Sequence, residues 1–224
     1  MHKPERFDKI HPGLTCEHAR HLLMKSVSNQ DSESDFYTAA AHLINCPCAE
    51  TEKALIEFLQ NRVSSCQSVK ITKRKIVEVL ARLGCIDAIA VIGQCLWSDD
   101  VYLVENSVWS LQTLQCNDQT LVDKMIGILE ADSANQRIII QCLSSLDVSR
   151  SVDTIRPFQF SSVPGIKGAA ISAISKLTHD CERVHEISLN LFLPNQMDRH
   201  FAIQDLIDAN AIDQIDEVFS APVS

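Results

Sequence analysis

The stretch DDVYLVENSVWSL, from Asp99 to Leu111, decides which fold the sequence predicts. Placed on a helix at about 100° per residue, its aliphatic side chains fall on one side. These side chains are Leu103, Val104, Val108 and Leu111, and they are continued by Leu114. Tyr102 and Trp109 fall on the opposite side, with Glu105 and Asn106 between them. The segment therefore predicts a helix with one packed face and a second face that carries aromatic and polar groups.

The same pattern recurs along the chain. Segments such as IVEVLARLGC and AISAISKLTH align with the first one, and each is followed by a short break. Their anchor positions lie 31 or 32 residues apart, at Leu80, Leu111, Leu143, Ile174 and Leu206. A second helical run, such as TLVDKMIGILEA or RVHEISLNLFL, follows most breaks. Because such a helix pair buries its apolar face only by stacking on its neighbours, the sequence predicts an all-α, HEAT-like helical-repeat solenoid of about five to six helix pairs.

The repeat also suggests how the chain is organised. Residues 1–33 lack it, and we expect an N-terminal arm there, with a short helix in EHARHLLMKS and a polar loop in SNQDSES. Residues 34–219 are expected to form the solenoid and residues 220–224 a loose tail. YTAAAHLINC and KALIEFLQNR form an earlier unit, set off by a looser loop in VSSCQSVK.

Composition narrows the possible functions. The formal net charge of −9 argues against a general nucleic-acid binder, which is usually basic. No run of 18 apolar residues could span a membrane. The first ten residues, MHKPERFDKI, lack the apolar core of a signal peptide, and the nine cysteines are irregularly spaced within largely apolar segments. We therefore expect a soluble protein of a reducing cytoplasm, whose cysteines behave as small hydrophobic residues.

The anchored helices resemble the second helix of a HEAT repeat, most clearly in IKGAAISAI, where Lys167 takes the basic position. In HEAT solenoids this helix lines the concave surface, so the resemblance implies that the face opposite the leucines borders a groove. One position on that face runs through the repeats as Arg74, Glu105, Arg137, Gly168 and His200.

Two interpretations of this row are open. One is a ladder of exposed ion pairs, Arg74–Glu105–Arg137, which would contribute little stability. The other is a ligand groove with an aromatic floor, a central carboxylate and flanking cations, in which the small side chains of GIKGAA leave room. Such a groove suits a flat conjugated ligand that bears carboxylates.

Three segments together resemble one family, the E/F-type phycobilin lyases, which are HEAT-like proteins of cyanobacteria and some algal plastids. They are YLVENSVWSL after DD, the upstream KITKRKIVEVLARLG, and FDKIHPGLT near the start. The similarity is greatest to members that serve phycoerythrin. It implies a lyase that binds a bilin, either phycoerythrobilin or phycocyanobilin, and attaches it by a thioether to a cysteine of a phycobiliprotein α or β subunit.

The resemblance also implies partners and leaves alternatives. Some members work with a second E/F-type lyase subunit, and a homo-oligomer is the other option. The chain could instead be a non-catalytic chaperone or scaffold for phycobiliprotein assembly, or an adaptor unrelated to pigment. No metal cofactor is expected.

Candidate site residues follow from the groove and the resemblance. Glu105 is the predicted acid that keeps the tetrapyrrole protonated, and Asp99 and Asp100 are second choices that could simply cap the helix. The predicted bilin-binding residues are Tyr102, Asn106 and Trp109, together with the cations Lys73, Arg74, Arg137 and Lys167. Each aromatic ring could instead pack on a neighbour, and each cation could simply be solvated.

Two cysteine- and histidine-containing motifs were weighed as metal sites. TCEHARH holds Cys16, His18 and His21, and Cys46 and Cys48 flank a proline. No second ligand pair at a supporting spacing follows the first motif, and the second lacks the two-residue spacing of CxxC. The sequence therefore predicts no metal site. THDC, at residues 178–181, does not support an isomerase activity either.

Overall fold

The computed structural model describes residues 13–24, 33–62, 66–131 and 134–222, and every regular element within these ranges is helical. The chain divides into two compact units, Met1–Cys116 and Asn117–Ser224. The predicted all-α helical-repeat class is confirmed. No helix in the described ranges is both long and apolar enough to cross a membrane.

The described part of the first unit contains six α-helices. They are α1 (Cys16–Met24), α2 (Glu33–His42), α3 (Ala49–Asn61), α4 (Gln67–Arg82), α5 (Ile89–Gln94) and α6 (Val101–Thr113). Short 3-10 turns follow α2 at Leu43–Asn45 and flank α5 at Ile86–Ala88 and Cys95–Trp97. Helix α4 packs against both α2 and α6, so these three helices form one layer, while α3 and α5 pack on α4 and α6 respectively.

The second unit repeats this plan with shorter partners. Its helices are α7 (Gln119–Glu130), α8 (Gln136–Ser145), α9 (Val152–Ile155), α10 (Pro164–Thr178), α11 (His185–Leu189), α12 (Gln196–Asp208) and α13 (Ile215–Ser220). The 3-10 turns lie at Ser149–Ser151, Arg156–Phe160, Asn190–Phe192 and Ile212–Gln214. Helix α10 packs between α8 and α12. The turn-rich run around α9 was not predicted as helical.

The predicted anchors are all buried, one in each of the helices α4, α6, α8, α10 and α12. Four of them share a further role, because each anchor leucine accepts a backbone hydrogen bond from the residue five positions later. The donors are Cys85, Cys116, Val148 and Ala211, and each bond is 3.0 Å long. This bond is the hallmark of the Schellman helix ending.

A left-handed residue completes each of these endings. The positive φ angles are 72° at Gly84, 52° at Gln115, 53° at Asp147 and 53° at Asn210. Helix α10 ends differently, since the N–H of His179, at φ 61°, donates to the carbonyl of Ser175. The 31- or 32-residue period thus measures the distance between equivalent helix ends.

Helix α6 has the two faces that its sequence predicts. The five aliphatic side chains from Leu103 to Leu114 are buried, whereas Tyr102 is 61% exposed. Asp100 begins the helix, because its side chain accepts hydrogen bonds from the backbone N–H groups of Tyr102 and Leu103. The capping role considered for Asp100 is therefore confirmed.

The N-terminal region shows the predicted short helix as α1, which packs on α2 and α3 through the buried Ala19 and Leu23. Residues 1–12, 25–32 and 223–224 lie outside the described ranges, which therefore omit most of FDKIHPGLT and residues 28–32 of the polar loop predicted in SNQDSES. The last two residues of that predicted loop are helical instead, because α2 begins at Glu33. The loop predicted in VSSCQSVK is wrong from Gln67 onward, because α4 begins there and Val69 is already buried. Residues 63–65 of that loop lie outside the described ranges.

One covalent link was not predicted. Cys16, the first residue of α1, forms a disulfide with Cys46, 30 residues later, just after the turn that follows α2. The chain-entropy model assigns a loop of this length about 3 to 4 kcal/mol of stabilisation. The link therefore fastens α1 to the first repeat.

Candidate functional site

Helices α4 and α6 present one shared surface in the first unit, which we call the α4–α6 face. It comprises Arg74, Lys75, Glu78 and Arg82 of α4 with Tyr102, Glu105, Asn106 and Trp109 of α6. The guanidinium of Arg74 lies 4.7 Å from the ring centroid of Tyr102. The side-chain amide of Asn106 donates to the carbonyl of Arg74 over 3.3 Å. These contacts place Arg74, a predicted bilin ligand of α4, beside Tyr102 and Asn106, two predicted bilin ligands of α6.

Arg74 is already engaged by a carboxylate. Its Nε and Nη2 donate to the two oxygens of Asp100 over 2.9 and 2.8 Å, and Asp100 is 7% exposed. Because Asp100 also caps α6, one carboxylate both begins the helix and neutralises the arginine. The first step of the ion-pair ladder, Arg74 to Glu105, is therefore wrong.

A second group of charges lies on this face. Glu78 binds two cations, Lys75 within one turn and Arg82, whose Nε lies 3.0 Å away. The guanidinium of Arg82 lies 5.8 Å from the ring centroid of Trp109, and the Lys75 ammonium lies 5.8 Å from that of Tyr37.

This group also borders a shallow pocket, lined by Ala41, Ile44, Lys75, Glu78, Val79 and Arg82. Lys75 and Arg82 are not among the bilin-binding residues that the sequence predicts. The signal that could have found them is local, since Glu78 stands three residues after Lys75 and four before Arg82, at distances where helical side chains meet.

The remaining predicted residues of the first unit take different positions. Glu105 is exposed, and no side chain in the described ranges is paired with it. Trp109 and Asn106 are half-buried. Asp99 is exposed, 4.0 Å from the ammonium of Lys70. Lys73 lies near Cys95, where its charge opposes the rise that burial causes in the pKa of that thiol.

Arg137, in the second unit, is held as firmly as Arg74. Its two terminal nitrogens lie 3.0 and 2.8 Å from the oxygens of Asp205, and one of them also donates to the carbonyl of Gly165. The guanidinium lies 4.0 Å from the ring centroid of Phe201. Burial raises the pKa of Asp205 to about 6, although hydrogen bonding from Arg137 opposes the shift.

Lys167 is paired within the second unit as well. Its ammonium lies 2.7 Å from Glu186, which also receives two hydrogen bonds from Arg183. Hydrogen bonds from Arg183 and Lys167 lower the pKa of Glu186 to about 2. The charge of Lys167 is therefore balanced by a carboxylate that stays ionised.

The room expected beside GIKGAA is not there. Gly165 and Gly168 are buried, and a Cβ at these positions would lie 2.8 Å from a ring carbon of Phe201 and 2.4 Å from a carboxylate oxygen of Asp205. Side chains of α12 fill the space that the sequence analysis left for a ligand. The prediction is wrong because a helical register shows which residues are small, but it does not show what packs on them.

No protein-family model matches the chain. The chain is 77% identical over 201 residues to "Bilin biosynthesis protein CpeY" of Synechococcus sp. (strain WH8020), covering 90% of this chain and 48% of that protein. It is 32% identical over 203 residues to "Uncharacterized phycocyanin operon protein Y" of Pseudanabaena tenuis (strain PCC 7409), with the same coverage. The chain thus spans about half the length of the curated relatives it matches.

A solved structure shares the fold. The complex of CpcE and CpcF of phycocyanin lyase from Nostoc sp. PCC7120 matches with a TM-score of 0.78 and 21% identity, over 99% of this chain and 86% of the matched chain. The chain is therefore a helical-repeat protein of that architecture. Together with the identity to the bilin biosynthesis protein, this confirms the resemblance to the E/F-type phycobilin lyase family that is seen in the sequence.

Proposed function

We propose that the protein is a phycobilin lyase that binds an open-chain tetrapyrrole and attaches it by a thioether to a cysteine of a phycobiliprotein α or β subunit. The observation that carries this proposal is the 77% identity to a bilin biosynthesis protein over nine tenths of the chain. Because the chain spans 48% of that relative, the activity of the whole relative is part of the proposal.

The reaction needs no oxidant. The acceptor thiol adds across the ethylidene group of ring A, so that sulfur bonds to the exocyclic carbon and the thiol proton is taken up by the conjugated system. The nucleophile belongs to the acceptor protein. Much of the rate enhancement then comes from holding the bilin in one conformation and from keeping it protonated and electrophilic.

The α4–α6 face is our proposed bilin surface. Tyr102 and Trp109 offer rings on which a flat tetrapyrrole can stack, and Asn106 offers a side-chain amide beside them. Glu105, exposed between the two rings in sequence, is the proposed acid toward the pyrrole nitrogens. Arg74, whose charge Asp100 neutralises, remains a proposed propionate ligand, and Lys75 and Arg82 are further candidates because they lie on the same face. Lys73 remains a proposed propionate ligand of this unit.

Several finer points stay within the proposal. Arg137 and Lys167 remain predicted bilin ligands of the second unit, although both are paired there. The bilin is phycoerythrobilin or phycocyanobilin, with no metal taking part in the ligation. The proposed partners are the acceptor subunit and either a second E/F-type lyase subunit or a second copy of this chain. The cytoplasm is the proposed location.

Co-expression tests the proposal. The chain is produced with enzymes that make phycoerythrobilin or phycocyanobilin and with a phycobiliprotein subunit, and the purified acceptor is run on a denaturing gel. We expect a pigmented chain and a covalently pigmented acceptor, detected by zinc-enhanced fluorescence. An acceptor that becomes more soluble without pigment would support the chaperone alternative, and the absence of both effects would contradict the proposal.

Two substitutions test the α4–α6 face. Trp109→Ala removes a stacking ring, so bilin retention should fall about tenfold. Trp97→Ala is the matched control, because Trp97 is an exposed tryptophan outside this face. Glu105→Gln should slow transfer by about 100-fold or more while leaving retention unchanged, as expected for a lost general acid. Equal transfer by Glu105→Gln would exclude Glu105 as the acid.

A further inference from the structure

Three residues of metal-binding types converge beside α1. Cys16 is the first residue of that helix, His42 is the last residue of α2, and Cys46 follows the 3-10 turn after it. One donor atom from each lies within 4.8 Å of the other two. Two thiolates and an imidazole are a donor set that Zn²⁺ commonly uses. The α4–α6 face includes none of the three residues.

The surroundings distinguish these residues from their neighbours in sequence. Cys46 is 6% exposed, whereas Cys16 and His42 are half-buried, so the group is partly accessible to solvent. Cys48 stands two residues after Cys46 but contacts Arg20 and the hydroxyl of Thr51 instead. His18 and His21, the histidines of the TCEHARH motif, do not join the group.

We propose that the reduced chain binds one Zn²⁺ through Cys16, His42 and Cys46, and that the disulfide and the zinc-bound form are alternative clamps on α1. A dithiol reductant supplies two electrons and two protons, which convert the disulfide into two thiols as the reductant becomes a disulfide itself. Binding of Zn²⁺ then releases both thiol protons to solvent. A low-molecular-weight disulfide reverses the sequence by taking two electrons and displacing the metal.

The backbone allows this exchange. The Cα atoms of Cys16 and Cys46 are 5.8 Å apart. Tetrahedral Zn²⁺ with Zn–S bonds of about 2.3 Å needs sulfurs about 3.8 Å apart, which rotation of the two side chains can supply. Within the described ranges, no fourth histidine, cysteine or carboxylate joins the group.

The clamp matters because α1 depends on its contacts. It has nine residues, too few to be a stable helix alone. It is held by the burial of Ala19 and Leu23 and by a hydrogen bond from Arg62 to the carbonyl of Leu23. In a cytoplasm that keeps thiols reduced, zinc would supply the fastening that the disulfide supplies under oxidising conditions.

The first measurement uses the full chain, reduced with a phosphine and freed of metal. Zn²⁺ alone is added in competition with a chromophoric chelator, and Co²⁺ is used in parallel as a spectroscopic probe. We expect one equivalent of Zn²⁺, a thiolate-to-cobalt charge-transfer band, and protection of Cys16 and Cys46 from alkylation. The chain with its disulfide intact should bind none at this site. Failure to bind an equivalent, or protection of other cysteines only, would overturn the proposal.

Substitutions assign the ligands. Cys16→Ser, Cys46→Ser and His42→Gln should each weaken Zn²⁺ binding by more than about 100-fold. Cys48→Ser and His21→Gln are matched controls from the same segments and should bind as the unmodified chain does. Circular dichroism checks that each variant folds. If a variant does not fold, the ligands are assigned instead from the cysteines that Zn²⁺ protects from alkylation in the unmodified chain. Equal binding by Cys16→Ser, or equal loss in Cys48→Ser, would refute the assigned ligand set.

Discussion

Each unit groups an arginine, an aspartate and an aromatic side chain, and the two groups differ in their surroundings. In the first, Arg74 pairs with Asp100 and stacks on Tyr102. In the second, Arg137 pairs with Asp205 and stacks on Phe201. Asp100 begins α6, and its side chain also accepts hydrogen bonds from two backbone N–H groups. Asp205 instead lies inside α12 and is 1% exposed.

The group around Arg74 therefore lies at the surface, whereas the group around Arg137 is packed in the interior of its unit. Tyr102 remains 61% exposed, so the first group leaves an aromatic ring available to a ligand. Phe201 and Asp205 instead fill the space above Gly165 and Gly168. An arginine, an aspartate and an aromatic ring thus leave the ring exposed in one unit and fill interior space in the other.

The largest expected effect comes from removing each arginine. Arg137→Met leaves Asp205 buried without its cation, so the free energy of unfolding should fall by about 3–5 kcal/mol. Arg74→Met should cost only about 1 kcal/mol, because Asp100 keeps its two backbone donors. Urea-induced unfolding at pH 7, followed by circular dichroism, measures both. Equal losses would contradict the distinction between the two groups.

A smaller effect is expected from adding one methyl group to a glycine. Gly168→Ala would place a carbon 2.4 Å from an oxygen of Asp205, so the carboxylate must shift from Arg137. We expect a loss of about 1–3 kcal/mol in urea-induced unfolding. Gly127→Ala in α7 is the matched control, since its added carbon meets nothing within 4 Å. It should stabilise the chain by about 0.5–1 kcal/mol, and a loss of similar size in both variants would count against tight packing at Gly168.

The smallest effect is a dependence of stability on pH. The pKa of Asp205 is raised from 3.8 to about 6, so the folded chain binds this proton more tightly than the unfolded chain does. The resulting stabilisation, about 3 kcal/mol, is complete below pH 3.8 and is lost as the pH rises through 6.

Between pH 7 and pH 5 this group should therefore add about 1 kcal/mol to the free energy of unfolding. Urea-induced unfolding of the unmodified chain and of Asp205→Asn at both pH values isolates the contribution, because the amide does not titrate. A pH dependence that is unchanged in Asp205→Asn would show that other groups cause it.

The sequence predicted the anchor residues that recur in every repeat. It did not predict the contacts between residues that lie far apart in the chain. Anchor residues such as Leu80 and Leu111 were found because helical periodicity is local, and their burial is confirmed. The partner of Arg137 could not be found in this way, since Asp205 is 68 residues away and on another repeat. Nor could the disulfide, because its two cysteines come from different helical segments.

The Schellman endings make the repeats interchangeable at their ends. The closing bond joins two backbone groups, so it places little demand on side chains, and the left-handed residues Gly84, Gln115, Asp147 and Asn210 are all different while they share one geometry. Every segment between two such endings therefore begins and ends with the same backbone geometry. A chain built from such segments can gain a repeat by duplication, or exchange the residues of one break for those of another, without a change in how its helices end.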